Sequence, residues 1–120
     1  MKLKVKDLLE ARSALRTLGG ISLSAKASYI VARNTRKVVP ELEMVEETRL
    51  GILKKYEATT KDGEVSFPSE ASKKQADEEF EDLVRTEIEV DIREITIADF
   101  GNSLVPPFVL ENLWWMIKEE

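Results

Sequence analysis

Lys26, Tyr29, Arg33, Arg36 and Lys37 recur at helical spacing and are of the types that hold an anion. At 100° per residue they fall within an arc of roughly 100°. Cations around one aromatic ring suit a ligand with a charged end and a flat part, because guanidinium forks match phosphate oxygens and the ring offers a stacking surface. No acid lies between Glu10 and Glu41, whereas a solvated helix face ordinarily interleaves both signs to gain i,i+4 pairs. A solvated basic face is the competing account. Arg12 and Arg16 extend the set. By helical spacing Arg12 falls among Val5, Leu8, Leu9 and Leu15, and a guanidinium on an apolar stripe needs either a carboxylate or a bound anion. Asn34 sits beside Ala27, Ile30, Val31 and Val38. A buried amide must find hydrogen bonds, so Asn34 fixes helix register, stays partly exposed at the edge of the stripe, or faces the ligand. The candidate ligand site is therefore Arg12, Arg16, Lys26, Tyr29, Arg33, Asn34 and Arg36.

Catalysis finds little support in the composition. The chain has 120 residues and neither cysteine nor histidine. That removes disulfides, thiol nucleophiles, the usual zinc sites and every histidine-based general base. Carboxylates could still hold magnesium, but no spaced Asp/Asn/Gly calcium loop is present. The expectation is a non-catalytic protein without cofactor or metal.

Charge is divided along the chain. Residues 1–39 hold nine cations against two acids, a net of +7, and residues 40–120 hold nine against 21, a net of −12. Such a division suits an anion-binding surface or a self-complementary assembly, in which the basic third docks on an acidic protein surface. An isoelectric point near 5.0 and the lack of any nucleic-acid motif disfavour DNA or RNA. No apolar run approaches the roughly 20 residues of a membrane span, and the first residues lack the pattern of a signal peptide. A cytoplasmic setting is expected.

The elements that must position these residues follow from periodicity and turn chemistry. MKLKV alternates as a short strand with Met1, Leu3 and Val5 inward. Asp7 caps a helix from Leu8 to Leu18, ended by Gly19-Gly20. Ser22 or Ser24 opens a long helix reaching about Tyr56, with a kink or break expected near Val39 because Pro40 lacks a backbone donor. Lys61-Asp62-Gly63 marks a hairpin within 57–67. Ser72 to Arg85 reads as an acidic helix with a narrow apolar edge. TEIEVDI (86–92) alternates as a strand, with a break near Arg93-Glu94. Pro106-Pro107 introduces a last helix from Phe108 to about Lys118. The fold expected is α-rich α+β in one domain: a long kinked central helix, two or three shorter helices, and one small antiparallel sheet built from MKLKV, the hairpin and 87–97.

Two features point to self-association. Val31, Val38, Val45 and Ile52 recur every seven residues with Leu42 alongside, as helix-pairing seams do; the pairing is either within the domain or between subunits. Leu110, Leu113, Trp114 and Ile117 make one face of the last helix and leave Trp115 on another, placing it in a second internal contact or a subunit contact. The expected interface of a homo-oligomer, most simply a dimer, is Val31, Val38, Leu42, Val45, Ile52 and Trp115.

The order of SAKASYIVARNTRKV (24–38), EETRLGILKKY (46–56), EIEVDI (87–92) and VLENLWWMI (109–117), after a short N-terminal helix, resembles a set of small tailed-phage or prophage proteins of unknown function. The resemblance covers most of the chain and implies a phage protein acting in the host bacterial cytoplasm. It supplies no activity to transfer. Joined to the basic stripe, it suggests a protein that holds an anionic small molecule, such as a nucleotide immune signal of the host. The alternative is a phage accessory or assembly protein acting through protein–protein contacts.

Overall fold

The computed structural model describes residues 1–119. Strand β1 (Lys2–Lys4) leads directly into helix α1 (Val5–Gly19). Asp7 lies inside that helix rather than before it: its Oδ2 accepts the Lys4 backbone N–H at 3.0 Å. The carboxylate satisfies an open donor at the helix start all the same. After a five-residue connection, Ser24 caps helix α2 (Ala25–Lys55), its Oγ accepting the Ala27 N–H at 3.2 Å.

At 1.5 Å per residue α2 is about 46 Å long, and the molecule measures 53 × 30 × 20 Å. The break expected at Pro40 does not occur. Pro40 lies on the exposed side of α2, where the Arg36 carbonyl that loses its helical donor can turn to water. On the other side Val38, Leu42 and Val45 stay buried without interruption, and breaking the helix would expose them.

Beyond α2, the hairpin forms as expected: β2 (Thr59–Lys61) pairs with β3 (Glu64–Ser66) around Asp62-Gly63. Both turn residues have left-handed φ, 53° and 81°, as a two-residue type I′ turn requires. Helix α3 (Glu70–Arg85) begins at a Ser69 cap, starting earlier than its apolar edge indicates. Strand β4 (Glu87–Glu89) pairs antiparallel with β1 and sets Lys2 opposite Glu89, Leu3 opposite Ile88 and Lys4 opposite Glu87. Leu3 and Val5 are buried, but Met1 is 43% exposed, against expectation.

The end of the chain also departs from its reading. Strand β5 (Ile95–Thr96) leads into a 3₁₀ turn (Ile97–Phe100), and helix α4 (Pro107–Asn112) stops early. Residues 113–116 turn, and strand β6 (Ile117–Lys118) pairs parallel with β5. Leu113, Trp115 and Met116 are all buried while Trp114 is 59% exposed. A continuing helix would set Trp115 and Met116 about 100° apart; the turn sends both inward. The strands thus form three separate pairs, two antiparallel and one parallel, instead of one sheet.

One apolar cluster joins these parts. Leu8, Ala11, Leu15 and Leu18 of α1 meet Ile30, Val31, Val38 and Leu42 of α2 and Val90, Ile95, Val109, Leu113 and Trp115 of the C-terminal segment. Burying each large side chain contributes about 1.5–3 kcal/mol. The fold is α-rich α+β. Among the described residues no helix is long and apolar enough to cross a membrane.

Candidate functional site

Helices α1 and α2 lie side by side with a groove between them. At its wider end a hollow of about 470 Å³ has Leu15, Leu18, Val31, Ile21 and Leu23 as its apolar lining, with Arg16, Arg36, Ser28 and Thr35 also around it. Leu15, Arg16 and Thr35 also border a second hollow of about 320 Å³, completed by Arg12, Val39, Leu42 and Glu43. A shallower depression of about 330 Å³ on the crest of α2, lined by Tyr29, Ala32, Arg33, Arg36 and Lys37, shares Ala32 and Arg36 with the first. These volumes are at the lower end of the range of small-molecule sites.

The groove exists because of small residues on the α1-facing flank of α2. Ser28, Ala32 and Thr35 follow at helical spacing, so no long side chain fills the gap. The Thr35 hydroxyl donates to the Val31 carbonyl at 2.8 Å and keeps lone pairs to accept from a ligand. These residues, with Leu15, Leu18, Ile21 and Leu23, were not in the sequence-derived set. The small-residue spacing beside Arg36 was the available signal.

The cations sort into two groups. Arg33 and Lys26 face the C-terminal segment and are engaged there: Arg33 Nη2 donates to Asp91 Oδ2 at 2.7 Å, and Lys26 lies 3.8 Å from Asp99. The Arg33 side chain is 23% exposed, and its Nη1 is buried without a protein acceptor. The Asp99 carboxyl is held below the ordinary carboxylate range chiefly by the Thr96 backbone N–H at 3.0 Å, with Lys26 adding to the effect. Arg12, Arg16, Arg36 and Lys37 form the second group. All four are exposed, and none takes part in an ion pair among the described residues. Arg12 is therefore not embedded in the apolar stripe as its spacing suggested. The buried face of α1 runs through Ala11 and Ala14, and Leu9 is 39% exposed. The charge of Arg12 reaches only as far as a minor effect on Glu46, whose carboxyl is held low mainly by the Arg49 fork at 2.7 and 3.0 Å.

Asn34 is withdrawn from the site. It is fully buried, its Nδ2 donating to the Arg93 carbonyl at 2.8 Å and its Oδ1 accepting the Arg93 N–H at 3.0 Å. Tyr29 is 62% exposed on the crest. The expected subunit-interface residues are also placed differently. Val31, Val38, Leu42, Val45, Ile52 and Trp115 are each at most 9% exposed and pack inside the protomer. Seven-residue spacing identifies a buried face, and here its partners are α1, α3 and the C-terminal segment.

A further hollow of about 400 Å³ lies among Leu9, Val45, Leu53, Val65, Phe80 and Val84. It is the most apolar of these spaces and carries only Arg49, Glu46 and Asp77 as charged lining. Among the described residues no group of three or more Asp or Glu side chains is placed to hold a metal ion. No protein-family model, curated protein or solved structure matches the chain.

Proposed function

We propose that this protein binds an anionic small molecule in the α1–α2 groove and holds it without chemical change. The observation that carries this reading is that Arg36, Arg16 and Arg12, none of them ion-paired among the described residues, border two adjoining hollows with an apolar floor, Arg16 lining both. Guanidinium forks engage phosphate or carboxylate oxygens two at a time. The floor formed by Leu15, Leu18 and Val31 accepts a ring or alkyl part and excludes water from one side of the contact. A nucleotide combines both features in one molecule, with the charged end at Arg16 and Arg36. In the phage setting that the resemblance implies, sequestering a host nucleotide signal would require binding alone.

Native mass spectrometry of gently purified protein tests this reading. A stoichiometric extra mass is expected, lost on denaturation and absent from the Arg16→Glu/Arg36→Glu double variant. Both residues are exposed, so the variant should retain the wild-type circular dichroism. An extra mass that persists in the double variant would place the ligand elsewhere and contradict the assignment.

A further inference from the structure

The outward face of α2 carries a second surface, which shares only Arg36 and Glu43 with the rim of the groove. Tyr29, Arg36, Pro40, Met44, Glu47 and Gly51 follow one another at helical spacing and are all exposed. They lie opposite the buried stripe. Arg36 and Lys37 stand on the first half of this helix, where there is no acid. Glu43 and Glu47 stand on the second half, and like the two cations they join no ion pair among the described residues. The boundary between the two signs falls at Pro40, the midpoint of the helix. Large apolar side chains accompany the charges: Tyr29 is 62% exposed, and Met44 and Leu50 are each 51% exposed. Gly51 adds an independent observation. A Cβ there would meet nothing within 4 Å, so the protomer has no packing need for a residue that weakens a helix by roughly 1 kcal/mol relative to alanine.

We propose that this face binds the same face of a second copy of the chain, the two α2 helices antiparallel with a two-fold axis beside Pro40. Such an interface is isologous, so each residue meets one equally distant from Pro40 on the other copy. Arg36 then lies between Glu43 and Glu47 of the second copy, Lys37 stands level with its Glu43 across the seam, and the Tyr29 ring covers its Gly51. Glycine leaves the room that ring needs. A parallel arrangement would set cation against cation, and like-charge juxtaposition costs several kcal/mol. The groove opens on the flank of α2 bearing Ser28, Ala32 and Thr35, so pairing leaves its Arg16 side open.

Sedimentation equilibrium of the ligand-free protein tests the proposal. It predicts a reversible dimer whose affinity falls as salt rises. Glu43→Lys/Glu47→Lys and Arg36→Glu/Lys37→Glu should each be monomeric, while an equimolar mixture of the two restores a dimer at least tenfold tighter than either forms alone. Gly51→Leu should weaken the wild-type dimer at least tenfold with its helical signal intact. The chain has no cysteine, so a single introduced thiol reports orientation: Pro40→Cys should crosslink to itself and Glu47→Cys should not. A wild-type protein that stays monomeric to millimolar concentration at low salt would overturn the proposal. So would a dimer indifferent to Glu43→Lys/Glu47→Lys, or self-crosslinking through Glu47→Cys. Because mass is read without any ligand, failure of the groove to bind an anion would leave this test intact.

Discussion

Asn34 brackets the peptide of Arg93 from both sides, donating to its carbonyl and accepting from its N–H. Those bonds tie α2 to the segment between β4 and β5, beside which Arg33 meets Asp91. Asn34→Ala removes both at once in a fully buried position, and an unsatisfied buried group costs about 1–3 kcal/mol. We predict a loss of about 2–4 kcal/mol in urea unfolding, and a loss below about 1 kcal/mol would contradict the bracket's role. Asp99 supports a pH prediction. Its carboxyl is held low by the Thr96 N–H, so its contribution to stability is present above the unfolded pKa of about 4 and lost as pH falls through the lower folded value. Unfolding midpoints should therefore drop on acidification below about pH 4, and drop less steeply in Asp99→Asn. Equal slopes in the two proteins would remove Asp99 from the account. At this scale Asn34's place beside the buried stripe was legible in the sequence, with register among its expected roles, whereas its full burial was not. Its partner was not legible, because Arg93 lies far along the chain and is brought close only by tertiary packing.

Among the elements, those governed by local chemistry matched their reading most closely. The Ser24 cap and the left-handed Asp62-Gly63 turn are written in residue types that favour those backbone shapes. The last helix fared otherwise. Phe108 to Lys118 has an acceptable helical pattern, yet α4 ends at Asn112 because pairing of Ile117 with Ile95 and burial of Trp115 with Met116 outweigh it. A two-residue parallel strand has no local signature. Its consequence can be measured by fluorescence: Trp114→Phe should leave the blue-shifted emission of a buried indole, and Trp115→Phe the red-shifted emission of an exposed one. The opposite assignment would restore the continuous helix. The same limit explains the heptad stripe of α2. Its period specifies which face is buried, whereas the identity of the covering surface depends on where α1, α3 and the C-terminal segment fold.

Across the whole molecule, the uneven charge is partly matched within the chain. The lysines of β1 stand opposite the glutamates of β4, Arg33 meets Asp91, and Lys26 approaches Asp99. What is left over is ordered in space. Arg12, Arg16 and Arg36 surround the groove, while Arg36 and Lys37 also begin the outward face of α2 that ends in Glu43 and Glu47. The basic stripe was legible from spacing alone, but the groove was not, since a third of its lining belongs to α1. The most direct measurement is amide chemical-shift mapping during titration with a nucleoside triphosphate and, separately, with inorganic phosphate. The account predicts saturable shifts concentrated at Leu15, Arg16, Ile21, Thr35 and Arg36, larger with the nucleotide and abolished by Arg16→Glu/Arg36→Glu. Shifts centred elsewhere, or none up to millimolar ligand, would contradict it.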